Sequence, residues 1–254
     1  MMKRYVLHIE YDGSNYAGFQ LQPDRPSIQG KLEEALYGLY KVPVRVHPSG
    51  RTDAGVHAHY QIIHFDPPQD LKRLNLKAAL NSLLPRDIRV INTAETDETF
   101  HARFSARKRL YRYIISARET AIDRFRVWQV PQTPDLSLLR SCADLLPGEH
   151  DFTSFCSSQA EVKHKRCYIY RSCWEKEEER YFYYIEGNRF LHSMVRSLAG
   201  TMLEVGRGRL QVKDFASLLE QASSSAAALT APPQGLSLMY VSYEHPLPWE
   251  KEFK

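Results

Sequence analysis

Six segments in the first hundred residues follow one another with apolar periods of two, 3.6, two, two, 3.6 and two, and few folds accept that order. Tyr5, Leu7, Ile9 and Tyr11 alternate as a strand that stops at Asp12-Gly13. Ser27 is placed to cap a helix whose Ile28, Leu32, Leu36 and Leu39 share one face. Residues 42–47 and 57–65 read as strands. Asp70 is placed to cap a second helix that turns Leu71, Leu74, Ala78 and Leu83 inward before Pro85, and residues 87–96 close the set as a strand. The order is βαββαβ, the ferredoxin-like split unit.

The order recurs without visible identity between the halves. Residues 110–117 form a strand, and Asp135 caps a helix that runs to Leu145. Residues 167–174 and 181–186 flank a charged tip, Glu175-Lys176-Glu177-Glu178-Glu179-Arg180, as a hairpin. A helix is expected over 190–205, with Phe190, Met194, Leu198 and Met202 on one stripe and Gly206 as its stop. On that helix Arg189, His192 and Arg196 share the opposite face. Residues 212–222 give a further helix, 223–233 a connecting loop and 236–243 a last strand. The expected fold is α+β: two ferredoxin-like, RRM-like halves, 1–105 carrying the loop discussed below and 106–254 completing the molecule.

At 254 residues the chain suits one large domain or two small ones. Its 43% hydrophobic and 25% charged content is that of a folded protein. No apolar run approaches the roughly eighteen residues of a membrane span, and Glu10 interrupts the N-terminus too early for a signal peptide. Cys142, Cys156, Cys167 and Cys173 have no metal-finger spacing and read as cytosolic thiols. A cytoplasmic protein without a membrane partner is expected.

The net charge of +4 hides an uneven distribution. Arg103, Arg107, Lys108, Arg109, Arg112 and Arg118 fall in a stretch without an acid, and Lys163, Lys165, Arg166 and Arg171 fall in another. Phe104, Tyr111, Tyr113, Tyr168 and Tyr170 are interleaved with them. That mixture suits a polyanion whose bases stack, and it is equally that of a solvated charged face over core aromatics.

The loop between the second and third strands reads Gly50-Arg51-Thr52-Asp53-Ala54-Gly55-Val56-His57-Ala58. Two glycines bracket Arg-x-Asp, so backbone can approach a ligand closely. An aspartate beside an arginine stays ionised and can serve as a nucleophile or stabilise an oxocarbenium-like sugar centre. The same pattern is also that of an ion pair that fixes a turn. His57, His59 and Asp66 form a second set, since His-x-His on a strand turns both rings to one face, as a metal-dependent hydrolase requires.

These nine residues resemble the signature of the tRNA pseudouridine synthase A family, and the resemblance covers nearly the full chain. Tyr11-Asp12-Gly13 with Tyr16-Ala17-Gly18-Phe19-Gln20 is similar to the family's N-terminal strand and loop, with Phe19 where Trp is expected. Phe100-His101-Ala102-Arg103-Phe104-Ser105-Ala106 and Arg109-Leu110-Tyr111-Arg112-Tyr113 resemble its second motif. Asn188-Arg189-Phe190-Leu191-His192-Ser193-Met194-Val195-Arg196 with Gly206-Arg207-Gly208 resembles its third, and Ala231-Pro232-Pro233-Gln234-Gly235-Leu236 its closing segment. The resemblance implies that Asp53 is the nucleophile, that Tyr111 stacks on the target uracil, that Arg196 pairs with the aspartate and that Arg51 clamps RNA backbone. It implies isomerisation of uridine at positions 38, 39 and 40 of the tRNA anticodon stem-loop. No cofactor or metal is implied, and the protein is expected to be a homodimer whose two halves join their antiparallel sheets around a central basic cleft.

Overall fold

In a computed structural model describing residues 4–69, 74–157, 164–223 and 228–253, strand β1 (Arg4–Tyr11) is the centre of the first of two compact units. Its Val6, Leu7, His8 and Ile9 are all buried, because neighbours flank it on both sides. Helix α1 (Ile28–Tyr40) follows, then β2 (His47–Pro48), β3 (His57–Phe65), α2 (Leu76–Leu83) and β4 (Ile88–Thr96). Antiparallel pairing gives the order β4-β1-β3 with β2 beside β3. Ser27 caps α1 as expected, its hydroxyl accepting the Gly30 N–H at 3.1 Å.

Three expectations in this unit change. Only His47 and Pro48 are strand where residues 42–47 were expected. The backbone there bonds to helix side chains instead: Val46 N–H donates to Glu33 Oε1 at 3.1 Å, while Pro43 has no N–H to give a ladder. The second helix starts at Leu76 and is capped by Asn75, whose Oδ1 accepts the Ala78 N–H at 3.0 Å. Asp70 and Leu71, expected at its start, lie outside the described residues. The buried stripe is therefore Leu76, Leu80 and Leu84, and Leu74, Ala78 and Leu83 face outward.

The second unit comprises residues 108–237. It contains all but the first two residues of β5 (Ala106–Ser116), then β6 (Trp128–Gln129), α3 (Leu136–Ala143), β7 (Gly148–Asp151), β8 (Arg166–Glu177), β9 (Arg180–Gly187), α4 (Met194–Gly206) and α5 (Val212–Gln221). The strands order as β5-β9-β8-β7, with short β6 parallel to β5. Asp135 caps α3 by accepting the Ser137 and Leu138 N–H groups. The β8–β9 hairpin turns at the charged tip, where Glu178 takes a positive φ of 52°. Tyr113, Trp174, Tyr181 and Tyr183 are buried in the core, as are Leu198 and Met202 of α4, and Trp174 Nε1 lies 3.0 Å from Met202 Sδ.

The expected helix over 190–205 begins four residues late. Ser193 has φ 61°, a left-handed conformation that ends any helix arriving from Phe190. Arg189 and His192 thus precede α4 and do not share a helix face with Arg196. Strands β6 and β7 were not foreseen; at two and four residues they are too short to show a period.

Strand β10 (Leu236–Tyr243) runs beside β3, and residues 238–254 belong to the first unit. A single cut near residue 105 assigns them to the second half. They are held where they are because the Glu250 carboxylate accepts the Tyr60 and Tyr240 hydroxyls at 2.5 and 2.8 Å. With two units, five α-helices and mostly antiparallel strand pairing, the described fold is mixed α+β.

The first unit also holds a histidine cluster around buried His64. His64 stacks on His47 at 4.9 Å and meets His101 edge-on at 4.5 Å, and its Nδ1 accepts the Ala102 N–H at 3.1 Å. Burial, followed by His101, Arg4 and His47, pushes its pKa down to about 3. The unfolded chain protonates near 6.5, so the folded state binds fewer protons between those values. Stability is complete above about pH 6.5 and falls as pH drops toward 3. Urea midpoints from pH 7 to 4 should therefore fall less steeply for His64→Gln than for the parent. Parallel slopes would assign the acid loss to other groups.

Candidate active site

From Gly50 to Val56 the Gly50–Ala58 loop of the first unit has no regular structure of its own, so its backbone groups there must be held by something else. Part of that support lies beneath it, in a chain of buried polar side chains. Gln61 on β3 is fully buried; its amide nitrogen donates to Gly50 O at 2.8 Å and lies 3.4 Å from the Tyr11 hydroxyl. Gln61 Oε1 accepts the Ser49 hydroxyl at 2.5 Å. Tyr11 in turn shares a 2.8 Å hydrogen bond with Thr52 Oγ1, and burial pushes its phenol up to about 12, so it stays protonated. The network ends on Gly50 and Thr52, the residues on either side of Arg51.

The rest of the support is the loop that follows β1. Phe19 N–H donates to Thr52 O at 3.0 Å, and Gly55 N–H to Tyr16 O at 3.3 Å. Gly13 N–H donates to Nδ1 of buried His57 at 3.1 Å. The approach is close enough to require glycine. A Cβ on Gly13 would sit 2.0 Å from Val56 O. One on Gly18, whose φ is +101°, would lie 2.8 Å from Thr52 O. Between these supports the Asp53 carbonyl accepts the Val56 N–H at 3.2 Å in a tight turn. Asp53 is half-buried and Arg51 is exposed.

The other two expected site residues belong to the second unit. Tyr111 on β5 is buried and meets Phe190 edge-on, with ring centroids 5.1 Å apart. Arg109, Tyr111 and Tyr113 alternate on one face as expected. Arg109 Nη1 donates to Asn188 O at 2.7 Å, and the Tyr113 hydroxyl donates to Pro232 O at 2.7 Å. Arg196 is in the first turn of α4, just after left-handed Ser193. Its backbone carbonyl accepts the Ala231 N–H at 3.0 Å and its Nε donates to Ala231 O at 2.8 Å. Gly200, one turn on, permits this: a Cβ there would fall 2.1 Å from Leu229 O.

Sequence reasoning missed Tyr11, Ser49, Gln61, Phe190 and Ala231 as supports. One signal was present for Gln61, a lone amide inside the β-forming run of residues 57–65. Phe190 gave none, since its period agreed with the helix that it does not join.

The alternative set disperses. His57 Nδ1 is taken by Gly13, and the His59 carbonyl lies 3.0 Å from His8 Nε2. Asp66 pairs with Arg4 at 2.7 Å, which holds its carboxyl below the usual range. Among the described residues, no three His, Cys, Asp or Glu side chains are grouped to hold a metal ion.

A family model described as tRNA pseudouridine synthase matches residues 7–105 and 142–244. A protein of Anoxybacillus flavithermus, named tRNA pseudouridine synthase A, is 43% identical over 246 residues, covering 96% of this chain and 100% of that one. Proteins of the same name from an Exiguobacterium and a Bradyrhizobium strain are each 41% identical, covering 96% and 95% of this chain and 99% and 100% of their own. The matches place the chain among RNA-modifying isomerases. Within them it belongs to the tRNA pseudouridine synthase family.

If the polar network holds the loop, removing its centre should damage catalysis more than folding. Gln61→Leu leaves buried groups without partners and should cost about 1–3 kcal/mol of stability. Its kcat on tRNA should fall roughly a hundredfold, the penalty of a small misplacement at a reacting centre. A kcat equal to the parent's would show that the glycine contacts hold the loop by themselves.

Proposed function

We propose that this protein isomerises uridine to pseudouridine at positions 38, 39 and 40 of the tRNA anticodon stem-loop, with Asp53 as the nucleophile. The observation that carries the reading is the Arg51-Thr52-Asp53 turn, fastened on both sides by buried groups and glycine contacts, in a chain of this family. A carboxylate on such a turn keeps its place while a substrate changes shape around it.

The reaction breaks the bond between N1 of uracil and C1′ of the ribose. The base then turns and C5 joins C1′; C5 gives up its proton and N1 acquires one. Oxidation states balance without an outside group, so no cofactor and no metal are part of the proposal. The target base must leave its stack, at a few kcal/mol. Tyr111 is the residue that we propose receives it, its ring held by Phe190. Arg196 neutralises the aspartate, and Arg51 contacts RNA backbone.

The proposal extends to architecture and setting. Each half is a ferredoxin-like unit, a reading supported in the first by the order β4-β1-β3 with β2 alongside, and in the second by the order β5-β9-β8. The protein acts in the cytoplasm as a homodimer, its four cysteines being free thiols. Burial pushes two of them, Cys142 and Cys167, up to about 12 and 11.

Tritium release from tRNA labelled at C5 of uridine tests the reaction directly. The parent should release tritium from positions 38–40, with or without EDTA, and Asp53→Asn should lose at least about a thousandfold in rate. Release by both proteins alike would remove Asp53 from the chemistry. Release by neither would overturn the activity.

A further inference from the structure

Five aromatics are interleaved with the basic segments, and the structure divides them by what they reach. Tyr111 and Tyr113 are buried. Tyr168 and Tyr170 lean on each other at 5.0 Å, and the Lys108 ammonium covers the Tyr170 ring at 4.6 Å. Phe104 differs. At 76% exposure it is the most exposed aromatic among the described residues, and it stands on a turn that is tightly fastened.

The turn, residues 101–105, is closed by Ser105 N–H on His101 O at 2.9 Å and by His101 N–H on Ser105 Oγ at 3.0 Å. His101 Nδ1 accepts the N–H groups of Arg103 and Phe104 at 3.1 and 3.4 Å. Both backbone groups of Ala102 are held by side chains from neighbouring strands: its N–H by His64 Nδ1 on β3, and its carbonyl by the Tyr243 hydroxyl on β10 at 2.8 Å. A loop carrying a solvent-exposed phenyl ring ordinarily has freedom to fold that ring back. This one has little, so the ring is presented in advance.

What it presents is flat and flanked by planar groups. The His101 ring lies 4.3 Å from the Phe104 ring, and the Arg103 guanidinium lies 5.7 Å from its centroid. Guanidinium, imidazole and phenyl faces are the three surfaces on which unstacked bases rest. No Asp or Glu occurs from residue 99 to residue 118. Cations and flat faces in a stretch without an acid are what an unpaired base of a nucleic acid calls for.

We propose that Phe104, with Arg103 and His101, is a stacking platform for an unpaired base of the RNA substrate, separate from the uridine that reacts. The proposal rests on the tRNA reading given above and adds to it a second point of contact. Pre-ordering of the turn lowers the entropy lost when the base is bound.

Phe104→Ala, Phe104→Trp and the parent should be compared for tRNA binding by filter retention, for KM and kcat, and for sedimentation. Stacking of one base gives an expected rise in Kd and KM of roughly 5- to 150-fold for Phe104→Ala. Phe104→Trp should keep both near the parent's values, and kcat at saturating tRNA should be unchanged in all three. Equal Kd values for the parent and Phe104→Ala would overturn the platform. So would a loss confined to kcat, or one accompanied by a lower melting temperature that Phe104→Trp does not restore. A shift in sedimentation with unchanged tRNA binding would make the ring a contact between protein copies instead. Binding is read without turnover, so failure of the platform stays distinct from failure of the isomerase reading.

Discussion

The Gln61 amide is the interaction on which the candidate site depends. It is a polar group in a place where a β-sheet normally puts an aliphatic side chain, and burying it unpaired would cost several kcal/mol. It is instead fully engaged, with Ser49 donating to its oxygen and its nitrogen turned to Gly50 O and Tyr11. A core residue thereby reads out the position of a loop. The strand cannot shift register without abandoning the loop, and the loop cannot move without unpairing buried groups. Tyr11 extends the same logic to a second strand, because its hydroxyl reaches Thr52.

The second unit solves the corresponding problem through backbone contacts. Arg196 is fixed through its backbone and its Nε by Ala231, and the segment that supplies Ala231 passes over α4 at Gly200, where no side chain intervenes. The strained φ of Ser193 belongs to this arrangement. It ends the approach from Phe190 abruptly, so that Phe190 turns to Tyr111 while Arg196 enters the first turn of the helix. One left-handed residue thus separates two side chains that a continuous helix would have placed on opposite faces.

Much of this fold was legible because it rests on local chemistry. The caps at Ser27 and Asp135 and the charged hairpin tip all act within a few residues of themselves. The errors have more than one source. The expected strand at 42–47 gave up its ladder to Glu33, and the helix expected from Asp70 begins instead at the cap of Asn75. Phe190 kept a perfect period with Met194 and Leu198, yet a period records apolarity and is blind to the torsion of Ser193. The Gly50–Ala58 loop stood out through its glycines and its paired charges, and alternation alone put Tyr111 on the face of Tyr113. The roles of these residues came from family resemblance. Their supports were hidden because Gln61, Tyr11 and Ala231 act on residues far away in the chain.

An isomerisation that detaches a base and rejoins it through another atom makes an unusual demand on its site. In the proposed reaction only a proton is exchanged, lost from C5 and gained at N1, so no departing group clears space for the turning base. If Asp53 is the nucleophile, as proposed, its carboxylate has to remain where it is while the ring turns beside it. Side-chain flexibility in a loop works against that, and a short aspartate on a turn fixed at Gly50, Thr52 and Val56 has little of it. Aspartate has one fewer rotatable bond than glutamate, and the backbone on either side of it is held by groups that water does not reach. The rigidity that a buried amide gives to an exposed loop is thus the property that the proposed reaction uses, and the core of the first unit carries a polar residue to provide it.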